Sequence, residues 1–373
     1  MEDKRKLWIA VFIILAISSI KASANCAILN GPYLVKVTPY SITVMWESDE
    51  KEKGMIRYGI KGFEMTKEED RPSLLHEIEI SGLKPGERYR YKVISGKDMA
   101  EGSFKTAPLQ NPGYFKFIVY GDSRSYPKKH GAIASLIAKE EPDFVIHTGD
   151  LVSDGSKYDR WGKEFFGPAA EMLRNAPFYP CRGNHETKTG KLFSIFFLLP
   201  EDKPWYCFTY GDATFIFLDY WGWDTPEQEK WLERKLKEAH TRWKFVVMHS
   251  PLFSSGGHKA DVKLRNRVHP IFSKHEVQIV FSGHNHFYQR TVAIDGVTYI
   301  TTGGGGAPLY NPKREEFVQA SSRSYHYCVV EVKEDLLILT AKDIRGEVID
   351  RFIIHALPRS SSPSPEPSPR SFR

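Results

Sequence analysis

Two histidines one residue apart, His284 and His286, close a short apolar run, and they form the last of five such clusters in the chain. Residues 115–120 lead into Gly121-Asp122, and residues 144–146 into His147-Thr148-Gly149-Asp150. Residues 178–181 lead into Gly183-Asn184-His185-Glu186, residues 245–248 into His249, and residues 277–281 into Gly283-His284-Asn285-His286. The donors are carboxylate, amide and imidazole, which suit Zn, Mn, Fe or Co better than Mg or Ca alone. No cysteine stands within the clusters, so thiolate chemistry is set aside.

Six of these residues read as metal ligands: Asp122, Asp150, Asn184, His249, His284 and His286. That is too many for one four-coordinate ion. It suits two ions about 3.5–4 Å apart, as in two-metal hydrolases. Two adjacent cations need a bridging carboxylate, and Asp150 is the natural bridge. A pair of ions calls for a polyanionic substrate and an activated water, and phosphate ester hydrolysis meets both requirements.

The runs that carry the clusters are short and rich in Val, Ile and Phe, so they read as buried parallel strands. In an open α/β sheet the functional crevice lies at the carboxyl ends of the strands. All five clusters are therefore predicted at one edge of one sheet. His147 falls inside its strand, in the core or behind a ligand. His130, His269 and His275 read as surface or packing residues. Helices are predicted over 130–139 and 226–239, the second with Pro226 at its start and Glu227 and Glu229 in its first turn. Residues 325–332, 336–343 and 348–354 read as strands completing a sheet. The glycines 303–306 lack a following Lys-Ser or Lys-Thr, so they are no phosphate loop. They let the backbone turn close to the edge of the site.

At this point the chain resembles a known family. The order Gly-Asp, Gly-Asp, Gly-Asn-His-Glu, His, Gly-His-x-His is similar to the calcineurin-like metallophosphoesterases. The Gly-Asn-His-Glu block and the segment ahead of it look most like the purple acid phosphatase branch. The resemblance covers about residues 31–354. It implies an α/β fold, a β-sandwich core of two mixed sheets with flanking helices, and a dimetal site at the strand ends. It implies that Asp122 and His286 bind the first metal, that Asp150 bridges, and that Asn184, His249 and His284 bind the second. It places His185 against the phosphate or the leaving group, and His258 at a substrate-facing position. Arg124 and Arg182 read as structural ion pairs first and as substrate contacts second, Arg being suited to bidentate phosphate binding. Two usual extra ligands of the first metal are missing. Ser153 stands where the purple branch has Tyr, and Arg124 where many other members have His. Water, Asp154 or weak binding are the alternatives left open there. A tyrosinate-coloured ferric centre is not expected, Tyr126 and Tyr158 being the local tyrosines.

Ahead of these motifs lies a different kind of segment. Residues 41–46 alternate around Trp46, and 55–58, 76–80, 89–94 and 102–105 read as further short strands. With the turn at Leu83-Lys84-Pro85-Gly86 and Tyr89-x-Tyr91, residues 25–107 resemble a fibronectin type III-like sandwich. Residues 108–113 form a linker, and the catalytic domain spans 108–357. Before the sandwich, Lys4-Arg5-Lys6 precedes an apolar stretch over 7–20 and then Ala22-Ser23-Ala24. This is a signal peptide, 1–24, implying a secreted or extracytoplasmic protein. An uncleaved N-terminal anchor is the alternative, and no stable membrane span remains after cleavage. The Ser/Pro-rich tail, 358–373, is expected to be disordered. Export permits disulfides, and Cys26, Cys181, Cys207 and Cys328 allow three full pairings.

A chain of 373 residues exceeds one core's usual capacity, and 41% hydrophobic and 26% charged residues are ordinary for globular domains. The net charge of +6 is mild, and no dense Lys/Arg tract points to nucleic acid. The expected function is hydrolysis of small phosphomonoesters by direct attack of a metal-activated water, with two Mn, Zn or Fe ions. The alternatives are a phosphodiesterase or nucleotidase on the same core, or a surface adhesion protein with a vestigial metal site.

Overall fold

The computed structural model describes residues 27–109 and 113–356. The expected signal peptide, Cys26 and the C-terminal tail lie outside these residues, as does the middle of the expected linker. The chain begins with β1 (Ile28–Val35), β2 (Ser41–Glu52), β3 (Met55–Gly59), β4 (Met65–Glu68), β5 (Ser73–Ser81), β6 (Arg88–Ser95) and β7 (Asp98–Lys105). They form two antiparallel sheets, β1-β2-β5 and β4-β3-β6-β7. Trp46 is fully buried between them and stacks on His76, with ring centroids 4.6 Å apart. Alternation in β2 leads one to expect an exposed second face. Instead Thr43 and Met45 are buried as well. Met45 packs in an apolar cluster with Trp161, Phe166 and Phe196 of the following part of the chain, so both faces of β2 are covered.

The rest holds β8 (Tyr114–Tyr120), β9 (Phe144–His147), β10 (Phe178–Pro180), β11 (Tyr206–Tyr210), β12 (Ala213–Phe217), β13 (Trp243–Val247) and β14 (Ile279–Ser282). After them come β15 (Tyr288–Thr291), β16 (Thr298–Thr302), β17 (Val318–Ser322), β18 (His326–Lys333), β19 (Leu336–Asp343) and β20 (Val348–His355). They build two sheets, β10-β9-β8-β18-β19-β20 and β11-β12-β13-β14-β16-β15-β17. The expectation of one sheet is therefore corrected. β8, β9 and β10 belong to the first sheet, and β13 and β14 to the second. The parallel strands β8–β10, β13 and β14 were legible as apolar runs, but β12 was not, and pairing partners such as β18, antiparallel to β8, come from far along the chain.

The two sheets face each other across an aromatic core. Phe117 stacks on Phe144 at 5.2 Å and meets Phe215 edge-on at 5.1 Å, and Phe245 and Phe281 close the layer. Such offset and edge-on pairs are the favoured ring geometries. Helices cover the outer faces: α1 (Pro127–Lys139), α2 (Gly167–Leu173) and α3 (Lys191–Phe197) on the first sheet, and α4 (Glu227–Glu238) and α5 (Val262–Lys274) on the second. In α1 Pro127 sits at the helix start, where a missing N–H costs nothing. In α5 the Asp261 carboxylate caps the Leu264 N–H at 2.9 Å. Just before α2, Trp161–Phe166 winds as a π-helix, which turns the buried Glu164 toward the strand ends. Among the described residues, no helix is long and apolar enough to cross a membrane, and Cys181, Cys207 and Cys328 are free.

Candidate metal centre

The carboxyl ends of β8, β9 and β10 meet those of β13 and β14 at one rim of the sandwich, and all six expected ligands lie there. Donor atoms of Asp122, Asp150 and His249 lie within 4.8 Å of one another. His249 Nε2 is 3.0 Å from Asn184 Oδ1, 3.2 Å from Asp150 Oδ1 and 3.2 Å from His284 Nδ1. His286 Nε2 is 3.4 Å from Asp122 Oδ1. The sheets are tied at this rim by His249 Nδ1 donating to Thr148 O at 2.8 Å and His284 N–H donating to Asp122 Oδ2 at 2.9 Å.

Local backbone explains why these residues point inward. Asp122, Asp150 and His284 have φ of 56°, 58° and 65°. Left-handed backbone at non-glycine residues costs energy and gathers at functional sites. Here it turns each strand end sharply enough to aim its side chain across the rim. Glycine allows the loops to close: a Cβ on Gly183 would stand 2.3 Å from Asp150 Oδ1, and one on Gly303 would stand 2.8 Å from Asp122 Oδ2. The 303–306 run thus passes directly against the site.

The electrostatics are those of a cluster built around positive charge. His249 Nδ1 donates to Thr148 O at 2.8 Å, which leaves Nε2 as a lone pair in the neutral ring. That lone pair then faces the lone pairs of Asn184 Oδ1, Asp150 Oδ1 and one nitrogen of His284, an arrangement favourable only around a cation. A proton is the smallest cation that serves. Burial acts to lower the His249 pKa, but the Asp150 charge beside it lifts it to about 9. His284 goes the other way, down to about 2, through burial and its histidine neighbours. Burial works to raise Asp150, but His249 and His185 hold it far below the carboxylate range. The set of Asp150, Asn184, His249 and His284 fits a transition ion in donor type, the other three standing 3.0, 3.2 and 3.2 Å from His249 Nε2.

The other expected residues are divided. His185 is part-exposed, donates its backbone N–H to Asp150 Oδ1 at 2.9 Å and sets Nδ1 2.7 Å from Ser153 O. Its Nε2 therefore faces the rim, 3.7 Å from Asp150 Oδ2. His258 stacks on His284 with centroids 4.1 Å apart, and burial followed by His286 lowers its pKa. Its backbone is held by Asn285, whose Oδ1 accepts His258 N–H at 2.6 Å. Arg124 reaches Asp150 and His286. Arg182 is not at the rim as a substrate contact. It is 3% exposed and gives Nε and Nη2 to Asp219 at 2.6 and 2.7 Å and Nη1 to Lys188 O. Its guanidinium is committed in a buried ion pair, the first of the two readings of Arg182, and the second, a substrate contact, gives way to it.

Sequence reasoning passed over several residues. Glu186 closes the Gly-Asn-His-Glu block, yet its role shows only in three dimensions. Its carboxylate accepts N–H from Asp150, Leu151 and Gly183 at 2.9, 2.7 and 2.8 Å. Glu164 takes the Ser153 N–H and Oγ–H at 2.7 and 2.8 Å, so the serine at the tyrosine position is turned to Glu164. Asp154 is bound to Ser156 N–H and Oγ. Tyr158 donates to Glu47, away from the rim, and Tyr126 is exposed. The tyrosines near the centre are instead Tyr310, stacked on His286 at 4.2 Å, and Tyr220, 5.6 Å from the His249 ring. Neither stands in a motif that would have announced it.

Residues 115–288 match the calcineurin-like phosphoesterase family. This segment is a calcineurin-like phosphoesterase domain. The phosphoesterase domain and its surroundings are similar to purple acid phosphatase 21 of Arabidopsis thaliana, 29% identical over 266 residues, covering 62% of this chain and 58% of the relative. Acid phosphatase type 7 of Danio rerio is 25% identical over 326 residues, 73% of each chain. The chain spans less than two thirds of the first relatives it matches, 58% and 61% of their lengths. A purple acid phosphatase from yellow lupin (Lupinus luteus) seeds superposes with a TM-score of 0.76 at 20% identity, over 87% of this chain and 74% of its own. A PhoD structure gives 0.72 at 13% identity, over 90% and 92%. These likenesses establish the metallophosphoesterase fold.

Proposed function

We propose that the chain is a metal-dependent phosphoester hydrolase that acts on phosphomonoesters. The observation that carries this reading is the gathering of Asp150, Asn184 and His284 around His249 Nε2, each within 3.0–3.2 Å of it. A bound ion supplies Lewis acidity and lowers the pKa of a water, the two needs of phosphate ester hydrolysis. Asp150 and His185 then set the geometry from the protein side. With Nδ1 directed to Ser153 O, His185 presents Nε2 to the rim and can hold or give a proton there. His258, kept neutral by its surroundings and stacked on His284, offers a second imidazole to the phosphate or the leaving oxygen. Monoesters come first because of the likeness to purple acid phosphatases. Diesters and nucleotides are the second reading.

The second-metal side offers four donors, Asp150, Asn184, His249 and His284, and the first-metal side three, Asp122, Asp150 and His286. The all-antiparallel two-sheet arrangement of residues 28–105 supports reading that part as fibronectin type III-like. Residues 1–24 support export, with an extracytoplasmic site of action. The test is hydrolysis of a panel of phosphomonoesters and phosphodiesters by protein supplied with Mn, Zn or Fe(II). Turnover of monoesters that chelator abolishes is the expected result. No hydrolysis of any phosphoester with any of these ions would sink the reading and leave a binding role for the rim.

A further inference from the structure

Arg124 lies two residues after Asp122, and its guanidinium lies inside the rim. Nε is 3.3 Å from Asp150 Oδ2, Nη2 is 3.4 Å from His286 Nε2, and Nη1 is 3.2 Å from Ser125 Oγ. His286 Nδ1 lies 2.7 Å from Pro308 O, so Nε2 of the neutral ring is the lone pair that meets Arg124. These are the atoms a first metal would use. Of its three expected donors, Asp122 Oδ1, Asp150 Oδ2 and His286 Nε2, two already face the guanidinium.

The neighbouring polar groups are committed elsewhere. Ser153 is bound to Glu164, and Asp154 to Ser156. The Tyr310 ring lies flat on His286, with planes 21° apart and centroids 4.2 Å apart, and its phenol meets the Arg124 guanidinium. A guanidinium is a cation with donors and no acceptor, so a metal at this position would sit against a like charge with only three protein donors. The first-metal position does not fit a resident ion.

We infer that the chain binds one metal ion, held by Asp150, Asn184, His249 and His284, and that the Arg124 guanidinium is the second cation of the centre. This rests on the reading of the rim as a metal-dependent phosphoesterase site. Asp150 would then serve the ion beside His249 while its Oδ2 accepts from the Arg124 guanidinium. A guanidinium suits the task because its planar fork donates to two phosphoryl oxygens at once. It also supplies positive charge that chelators cannot remove.

The experiment is metal stoichiometry by elemental analysis of the full chain after Mn or Zn loading and removal of loosely held ions, paired with anomalous diffraction. One ion per chain is expected, between His249 and His284. Arg124→His removes the charge and adds a lone pair, and it should raise the content to two per chain. Arg124→Ala should bind its first ion unchanged. Two ions per wild-type chain would overturn the inference while leaving the metal-centre reading intact. So would a folded Arg124→His protein, by circular dichroism, that still holds one ion. Zero ions in wild type would overturn both.

Discussion

The carboxylate of Glu186 accepts the backbone N–H of Asp150 at 2.9 Å, so the residue that closes the Gly-Asn-His-Glu block fixes the strand end that carries the central ligand. The same carboxylate takes the N–H of Leu151 and of Gly183 and thereby ties two loops into one unit. Glu186→Ala should leave these buried donors without partners. Each such orphan costs about 1–3 kcal/mol, so a loss of about 3 kcal/mol or more is expected. Urea unfolding and metal content read together should both fall. A variant with normal stability and full metal content would remove Glu186 from the scaffold role.

Asp150→Asn should be the most damaging change among the ligands. It keeps a side chain tolerant of left-handed backbone and removes the charge that faces His249, His185 and Arg124 together. Metal content and monoester turnover should drop at least as far as in Asn184→Ala. Turnover near wild type would show that Asp150 is not the shared carboxylate.

His185→Ala should keep its metal and lose turnover. The hydrogen bond from His185 to Asp150 comes from the backbone N–H, and that bond survives the change. The expected fall is about 10²–10⁴-fold in kcat, the usual range for a positioned acid or base. Loss of the ion in this variant would instead make the imidazole a ligand.

Glu47 predicts a pH dependence of stability far from the metal rim. Burial lifts its carboxyl from 4.5 to about 7, with the bonds from Asn30 and Tyr158 working against the shift. One of its oxygens, Oε1, has no hydrogen-bond partner. The folded chain thus holds this proton more tightly than the unfolded chain does. The contribution is fully present below the unfolded value and is lost as pH rises through about 7. At 1.36 kcal/mol per unit, its amplitude is on the order of 3 kcal/mol. Unfolding free energy measured on either side of this window should fall with rising pH in wild type. In Glu47→Gln this part of the slope should be absent. Parallel slopes in the two proteins would mean that Glu47 does not titrate there.

The ligands were legible because buried parallel strands are written as apolar runs and each run stops at its polar cluster. Asp122, Asp150, Asn184, His249, His284 and His286 could be read in this way before any fold was known. The division into two sheets could not be read. It depends on β18 pairing with β8 across some 200 residues, and such pairing leaves no local mark. Nor could the path of the Arg124 side chain, which turns to Asp150 and His286. Strand β1 also escaped notice, because Gly31-Pro32 breaks its pattern.

Strand β2, covered on both faces, has a consequence for how the molecule comes apart. Its Trp46 side belongs to the first sandwich, and its Met45 side to the aromatic cluster of Trp161, Phe166 and Phe196. Tyr33 and Tyr91 extend hydroxyls across the same seam to Phe196 O and Arg174 O. A cut between residues 108 and 113 would therefore not release two finished bodies. Each half would carry a freshly wetted apolar face. The two parts should melt together in one calorimetric peak, and the chain would gain or lose both at once.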